Sequence, residues 1–144
     1  KVAKKQIHIS GPKKIKNLNN LVTKEYPNFP TDLQAQFMVL LCKAKGKSSI
    51  TESIFENRFM HVAELRRLGA EIIVKKNKAF ISGNTNFQAA ELMSSDLRAS
   101  VALVLAAIVA KGSSIINRIY HLDRGYENIE HKLRKVGVNI RRVN

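Results

Sequence analysis

Two stretches of the chain are apolar on almost every side of a helical wheel, "LQAQFMVLLCKA" (33–44) and "LRASVALVLAAIVA" (97–110). A helix of that kind is buried all round rather than laid on a surface. The pattern predicts helices over 32–45 and 96–110, each stopped near a glycine. Thr31 is placed to cap the first, with Gln34 three residues on to complete a capping box, and Ser95 to cap the second. After each helix, "SSITESIF" (48–55) and "SSIINRIY" (113–120) alternate isoleucine with polar residues and read as strands. Helices follow at 58–68 and 125–136, ended by Gly69 and Gly137. "EIIVKK" (71–76) and "NIRRV" (139–143) then read as strands, and "AFISG" (79–83) pairs back after a turn at Lys76, Asn77 and Lys78.

These elements occur twice. "TDLQAQFMVLLCKAKGKSSI" (31–50) answers "SDLRASVALVLAAIVAKGSSI" (95–115), and "ELRRLGAEIIV" (64–74) answers "HKLRKVGVNIRRV" (131–143). A repeat at fixed spacing is the mark of one structural unit used more than once. The chain divides into a lysine-rich lead-in of strand and loop (1–30), a first unit (31–94) and a second (95–144), each in the order α-β-α-β-β. Buried helices and strands with one wet face predict an α/β (α+β) fold turned inside out, helices in the middle and sheets outside.

Charge narrows the partners without choosing among them. Lys and Arg number 25 against 11 Asp and Glu, a net charge of +14, which favours anionic ligands generally. Aromatic residues are few and not interleaved with the basic runs, so base stacking on nucleic acid is disfavoured. The longest uncharged run, 99–110, falls short of the roughly 20 residues that span a bilayer. A single cysteine, Cys42, sits at a helical apolar position and reads as a packed thiol; it allows no internal disulfide and suits the cytoplasm. His61 and His121 lack metal-ligand spacing, although His121 and Asp123 could meet at a site. No zinc pattern, phosphate-binding loop or dinucleotide turn is present, and no cofactor is expected. The chain begins at Lys1 without Met, in what reads as the approach to a strand, and is expected to be a piece of something larger.

The candidate chemistry sits at the helix heads. Asp32 and Asp96 open the two buried helices, where free backbone N–H groups and the positive dipole end stabilise an anion. A carboxylate there can act as a general base, and simple capping is the competing role at both positions. Arg98, Arg58 and Arg124 lie at recurring points of the repeat, with guanidinium groups suited to carboxylate and phosphate. Surface ion pairing is the competing role for each.

With "FPTDLQAQF", "FENRFMH", "SDLRAS" and "HLDRGYE" in this order and spacing, the sequence resembles the C-terminal third of the UDP-N-acetylglucosamine 1-carboxyvinyltransferases. These are the enolpyruvyl transferases that begin bacterial peptidoglycan synthesis. The likeness runs from about Pro27 to Val143. It implies two domains of three repeated units, helices inside and sheets outside, with the active site in the cleft between them. It implies that Asp32 contacts UDP-N-acetylglucosamine and acts as base toward its 3-hydroxyl, with Thr31 beside it and the backbone of Ile54 on the same ligand. Arg98 and Arg124 would bind the phosphate and carboxylate of phosphoenolpyruvate, Arg58 would line the same region, and Asp96 would sit at its edge. Ser95 stands where the family usually has Thr, a change that is expected to keep the cap. The family's acid, a cysteine or aspartate on a mobile loop, has no counterpart here, and neither has its N-terminal Lys-Asn pair. Cys42 is not that cysteine, because it lies inside a helix. The isolated chain is therefore expected to be inert, its natural partner being the rest of the same enzyme. The related shikimate-pathway transferase shares the architecture, but "ENRFMH" and "DRGYE" speak against it. A basic nucleic-acid-binding module is the alternative of a different class.

Overall fold

The computed structural model describes residues 2, 3 and 6–143, with side chains from residue 7 onward; Lys1, Lys4 and Lys5 of the lysine-rich start, and Asn144, lie outside the described residues. A short antiparallel pair, β1 (Val2–Ala3) and β2 (Gln6–Ile7), is followed by β3 (Leu21–Val22) and a 3₁₀ turn, Thr31–Leu33, that leads into α1 (Gln34–Lys43). Then come β4 (Lys47–Thr51), α2 (His61–Arg67), β5 (Glu71–Lys75) and β6 (Lys78–Ser82). The second half holds β7 (Glu91–Met93), α3 (Leu97–Ile108), β8 (Ile115–Asn117), α4 (Tyr120–Asp123) and α5 (Ile129–Lys135).

A four-stranded sheet runs β3-β4-β6-β5, and β7 and β8 form a second, two-stranded one. In both units a strand before the buried helix pairs in parallel with the strand after it, Leu21 with Ile50 and Leu92 with Ile116. The repeat is thus built on a strand-helix-strand crossover. It extends to the N-terminal hairpin, since Val2 pairs with Ile7 as Val74 pairs with Ala79, 72 residues on. One register differs from the sequence match. Leu18 N–H donates to Ser48 Oγ and Ala90 N–H to Ser114 Oγ, so Ser48 corresponds to Ser114 and the second "SSI" is slipped by one residue. Fully buried Ile50 therefore corresponds to Ile116, while Ile115 turns outward with 54% of its surface exposed.

The helices pack on one another, α3 against both α1 and α2, and α1 lies on the inner face of the four-stranded sheet. Met38, Leu41, Ile50, Leu65, Ile81, Phe87 and Leu103 are fully buried in this core, each side chain stabilising the fold by about 1.5–3 kcal/mol. Ile73 and Phe80 stay exposed on the outer face of the sheet. The expected layering, mixed α/β with helices inside and sheet outside, is what the chain adopts. Neither buried helix is covered on every side: Leu40 on α1 and Leu105 and Ile108 on α3 keep solvent contact. No helix among the described residues is long and apolar enough to cross a membrane.

Several expectations are corrected. Thr31 does not cap α1; its hydroxyl turns away to Glu52 Oε2 (2.9 Å), and Gln34 is buried rather than closing a capping box. The cap of α3 is Asp96, not Ser95. "SSITESIF" is a strand only to Thr51, because Glu52 folds the next residues back onto its own carboxylate. "SSIINRIY" is a strand only to Asn117, because Arg118 takes a left-handed turn (φ 56°). The surface helices are shorter than expected, which leaves Arg58 and Gly125 in the turns before them, while Gly69 and Gly137 end them at φ 95° and 93° as anticipated. "NIRRV" forms no strand. A strand needs a hydrogen-bonding neighbour, and no described segment provides one; Ile140 instead packs on the small second cluster of Val101, Val104 and Leu122.

Candidate functional site

The two helix heads meet. Arg98, in the first turn of α3, reaches Asp32 in the turn before α1, its Nε and Nη2 both 2.8 Å from Asp32 Oδ1. The pair joins residues 66 apart in sequence, with 61% of the Asp32 and 39% of the Arg98 side chain exposed. An ion pair this open contributes at most about 1 kcal/mol, so a ligand can separate it at little cost. Asp96 caps the helix that carries Arg98: its Oδ1 accepts from the backbone N–H groups of Arg98 (2.9 Å) and Ala99 (3.0 Å), while Ser95 Oγ donates to its Oδ2. Asp96 is therefore engaged as a helix cap, with its carboxylate already occupied.

On the other side of Asp32 lies a carboxylate that the sequence pattern did not single out. Glu52 is 2% exposed and accepts four hydrogen bonds. The Thr23 hydroxyl (2.7 Å) and the N–H groups of Ile54 (3.0 Å) and Phe55 (3.2 Å) reach its Oε1, and the Thr31 hydroxyl reaches its Oε2. Burial raises its pKa, yet these four donors outweigh it and hold the group below the usual glutamate value. The available signal was its register: Glu52 lies two residues beyond Ile50, so strand alternation puts a charge on the buried face. Because the Ile54 N–H is taken by Glu52, a ligand contact at the Ile54 backbone falls to its carbonyl. Arg58, in the same loop, lies over the ring of Phe55 at 4.4 Å, and Glu52, Phe55 and Arg58 line a recess of about 470 Å³ with Asn77.

Arg124 ends α4, exposed, with no ion pair or side-chain hydrogen bond among the described residues. Gly125 beside it abuts Leu97, where an added Cβ would come within 2.9 Å of Leu97 Cδ2. The Arg124 backbone is thereby set next to the head of α3. His121 and Asp123 do not form a pair. Asp123 is held by Arg142 (2.7 and 3.0 Å), and His121 stacks on Tyr120 at 4.2 Å. Cys42 is a core thiol, its pKa pushed up to about 12 by burial.

His61 opens α2, buried, with Nε2 lacking a hydrogen-bond partner among the described residues. Burial pushes its pKa down to about 4 from the ordinary 6.5, against the opposing pull of Asp96. A depressed folded-state pKa gives stability that is full above 6.5 and lost as pH falls toward 4, here on the order of 3 kcal/mol. Urea unfolding from pH 7 to 4 is expected to show this loss, and His61→Gln to flatten it; an equally steep profile in the variant would assign the loss to other groups.

A strand-helix-strand repeat with buried helices meeting at their heads and sheets outside is a fold of the enolpyruvyl transferase type. The structure superimposes on the enolpyruvyl transferase NikO from Streptomyces tendae with a TM-score of 0.82 at 28% identity, over 90% of this chain and 30% of that one. The EPSP synthase of Acinetobacter baumannii shares the fold, with a TM-score of 0.64 at 14% identity over 89% of this chain and 29% of that one. The chain belongs to the EPSP synthase (3-phosphoshikimate 1-carboxyvinyltransferase) family, which matches residues 2–133. The UDP-N-acetylglucosamine 1-carboxyvinyltransferase of Pelagibacter ubique is 67% identical over 98% of this chain and 34% of its own length. That of Campylobacter hominis is 59% identical over 96% of this chain and 32% of its own length. The chain spans about a third of the length of the curated relatives it matches.

Proposed function

We propose that this chain is the part of a UDP-N-acetylglucosamine 1-carboxyvinyltransferase that carries the base and the anion-binding arginines, working in the cytoplasm in the first committed step of cell-wall peptidoglycan synthesis. The observation that carries the proposal is the contact between Asp32 and Arg98 across the heads of α1 and α3, which sets a proton acceptor beside a cation made for carboxylate or phosphate. In the reaction, the 3-hydroxyl of UDP-N-acetylglucosamine adds to C2 of phosphoenolpyruvate while C3 gains a proton. Loss of that proton and of inorganic phosphate then restores the double bond. Asp32 takes the hydroxyl proton, with Thr31 setting its turn. Arg98 and Arg124 neutralise the phosphate and carboxylate as the tetrahedral intermediate forms, Arg58 adds charge at the rim, and Asp96 holds Arg98 in place. The Ile54 carbonyl contacts the nucleotide sugar.

The family match carries the shikimate enzyme's description, yet relatives this similar over nearly the whole chain are named for the UDP-sugar reaction, which favours that substrate. The acid that protonates C3 belongs, in this proposal, to the remaining two thirds of such an enzyme, since the thiol of Cys42 is buried and holds its proton. The division into a lead-in (1–30) and units at 31–94 and 95–144 fits the same proposal. An apolar groove of about 920 Å³ beside β8, lined by residues such as Val104, Ile108, Ile116 and Ile140, would be closed by the rest of that enzyme.

The test is a titration with UDP-N-acetylglucosamine followed by backbone amide shifts. Shifts are expected at Thr31 to Gln34 and at Ile54, with affinity falling about tenfold in Asp32→Asn, the scale of one charge-assisted hydrogen bond. Shifts spread over the lysines and unchanged by the substitution would favour a general polyanion surface.

A further inference from the structure

We propose that Glu52 is the positioning residue of this site: one buried carboxylate sets the distance between the turn holding Thr31 and Asp32 and the backbone of Ile54 and Phe55. The claim about ligand rests on the function proposed above, whereas the coupling between the two segments stands on geometry alone. Glu52 is fixed at both ends. Its own N–H donates to the Asn77 carbonyl (2.8 Å), and Asn77 Nδ2 donates back to the Glu52 carbonyl (3.1 Å), which pins its backbone to the turn between β5 and β6. From that anchor its two oxygens divide the work. Oε2 takes the Thr31 hydroxyl, one residue before Asp32, and Oε1 takes the N–H groups of Ile54 and Phe55. Thr23 closes the arrangement, donating to Oε1 while its own Oγ accepts the Ser53 N–H (3.0 Å).

A carboxylate suits this position because it only accepts, and four donors converge on it. Any displacement of Glu52 moves the Asp32 turn and the Ile54 carbonyl relative to each other, although its carboxylate makes no hydrogen bond to Asp32 itself. Separations of that kind must hold to a fraction of an ångström for a ligand to be gripped at both ends. The Oε2 contact with Thr31 can be cut without disturbing Oε1, which makes the coupling separable by substitution.

Thr31→Val, Glu52→Gln and Glu52→Ala test this, read by amide shifts, amide hydrogen exchange and affinity for UDP-N-acetylglucosamine. Thr31→Val is expected to shift the Asp32 amide and weaken binding about fivefold while Ile54 and Phe55 keep their protection. Glu52→Ala is expected to expose the Ile54 and Phe55 amides, shift Asp32 and weaken binding at least about tenfold, with the amide shift of Leu103 in α3 unchanged. Glu52→Gln, which keeps an acceptor at one end and a hydrogen-bonding group at the other, should recover most of the affinity. Should Glu52→Ala not fold, the other two variants decide. An Asp32 amide that does not move in Thr31→Val, or an affinity insensitive to Thr31→Val, overturns the positioning role. A wild-type chain that ignores the sugar nucleotide overturns the functional proposal instead, and the ligand-free shifts and exchange still decide the coupling.

Discussion

Replacing Gly83 by alanine is expected to destabilise the fold by roughly 3 kcal/mol, at the upper end of what overpacking costs. An added Cβ would overlap the carbonyl oxygens of Ala44 and Gly46, both backbone atoms that cannot rotate away. Those oxygens are also in use. Gly83 N–H donates to the Gly46 carbonyl (2.9 Å), Asn84 N–H to that of Ala44 (2.8 Å) and Thr85 N–H to that of Cys42 (2.8 Å). Asn84 and Thr85 therefore satisfy carbonyls that the end of α1 leaves without intrahelical donors. Relieving the overlap means giving up one or two of these buried bonds. Chemical denaturation of Gly83→Ala beside wild type measures the loss, and a difference under about 1 kcal/mol would contradict this close approach.

The second large effect is expected at Glu52. Glu52→Ala leaves two hydroxyls and two backbone N–H groups without their acceptor in a buried place, a loss on the order of 3–5 kcal/mol. Glu52→Gln retains most of the contacts and is expected to cost about 1 kcal/mol. Acid separates the two further. Since the folded-state pKa of Glu52 lies below its ordinary 4.5, its contribution is present above 4.5 and disappears as pH falls below it. The wild-type chain should thus lose stability in two steps, through His61 between pH 6.5 and 4 and through Glu52 below 4.5, with only the lower step absent from Glu52→Gln. Equal stability of Glu52→Ala and wild type at pH 7 would show that the four donors find other partners.

The buried helices, their repeat and the acid and arginines at their heads were legible because each rests on a local pattern. An apolar run with no polar stripe has only one way to be satisfied. A repeated motif brings its copies to equivalent places, as it does Asp32 and Asp96 at the heads of α1 and α3, where Asp32 then meets Arg98. What escaped depended on partners far along the chain. Thr31 looks like a cap locally, but a buried carboxylate 21 residues later is the stronger acceptor for its hydroxyl. "NIRRV" has strand composition and no strand beside it. The one-residue slip of the second "SSI" is invisible in a match of letters, because only cross-strand bonds such as Ala90 N–H to Ser114 Oγ fix which residue faces in.

The heads of α1 and α3, with the Ile54 loop, are proposed to form part of a shaped sugar-nucleotide site. The most direct measurement compares UDP-N-acetylglucosamine with UDP-glucose on the wild-type chain, by amide shifts, at low and physiological salt. Shifts at Thr31 to Gln34 and at Ile54 are expected to persist in salt and to be weaker or missing with UDP-glucose. Responses equal for both nucleotides, and collapsing together as salt rises, would contradict the proposed site, because that is how a diffuse basic surface releasing counterions behaves.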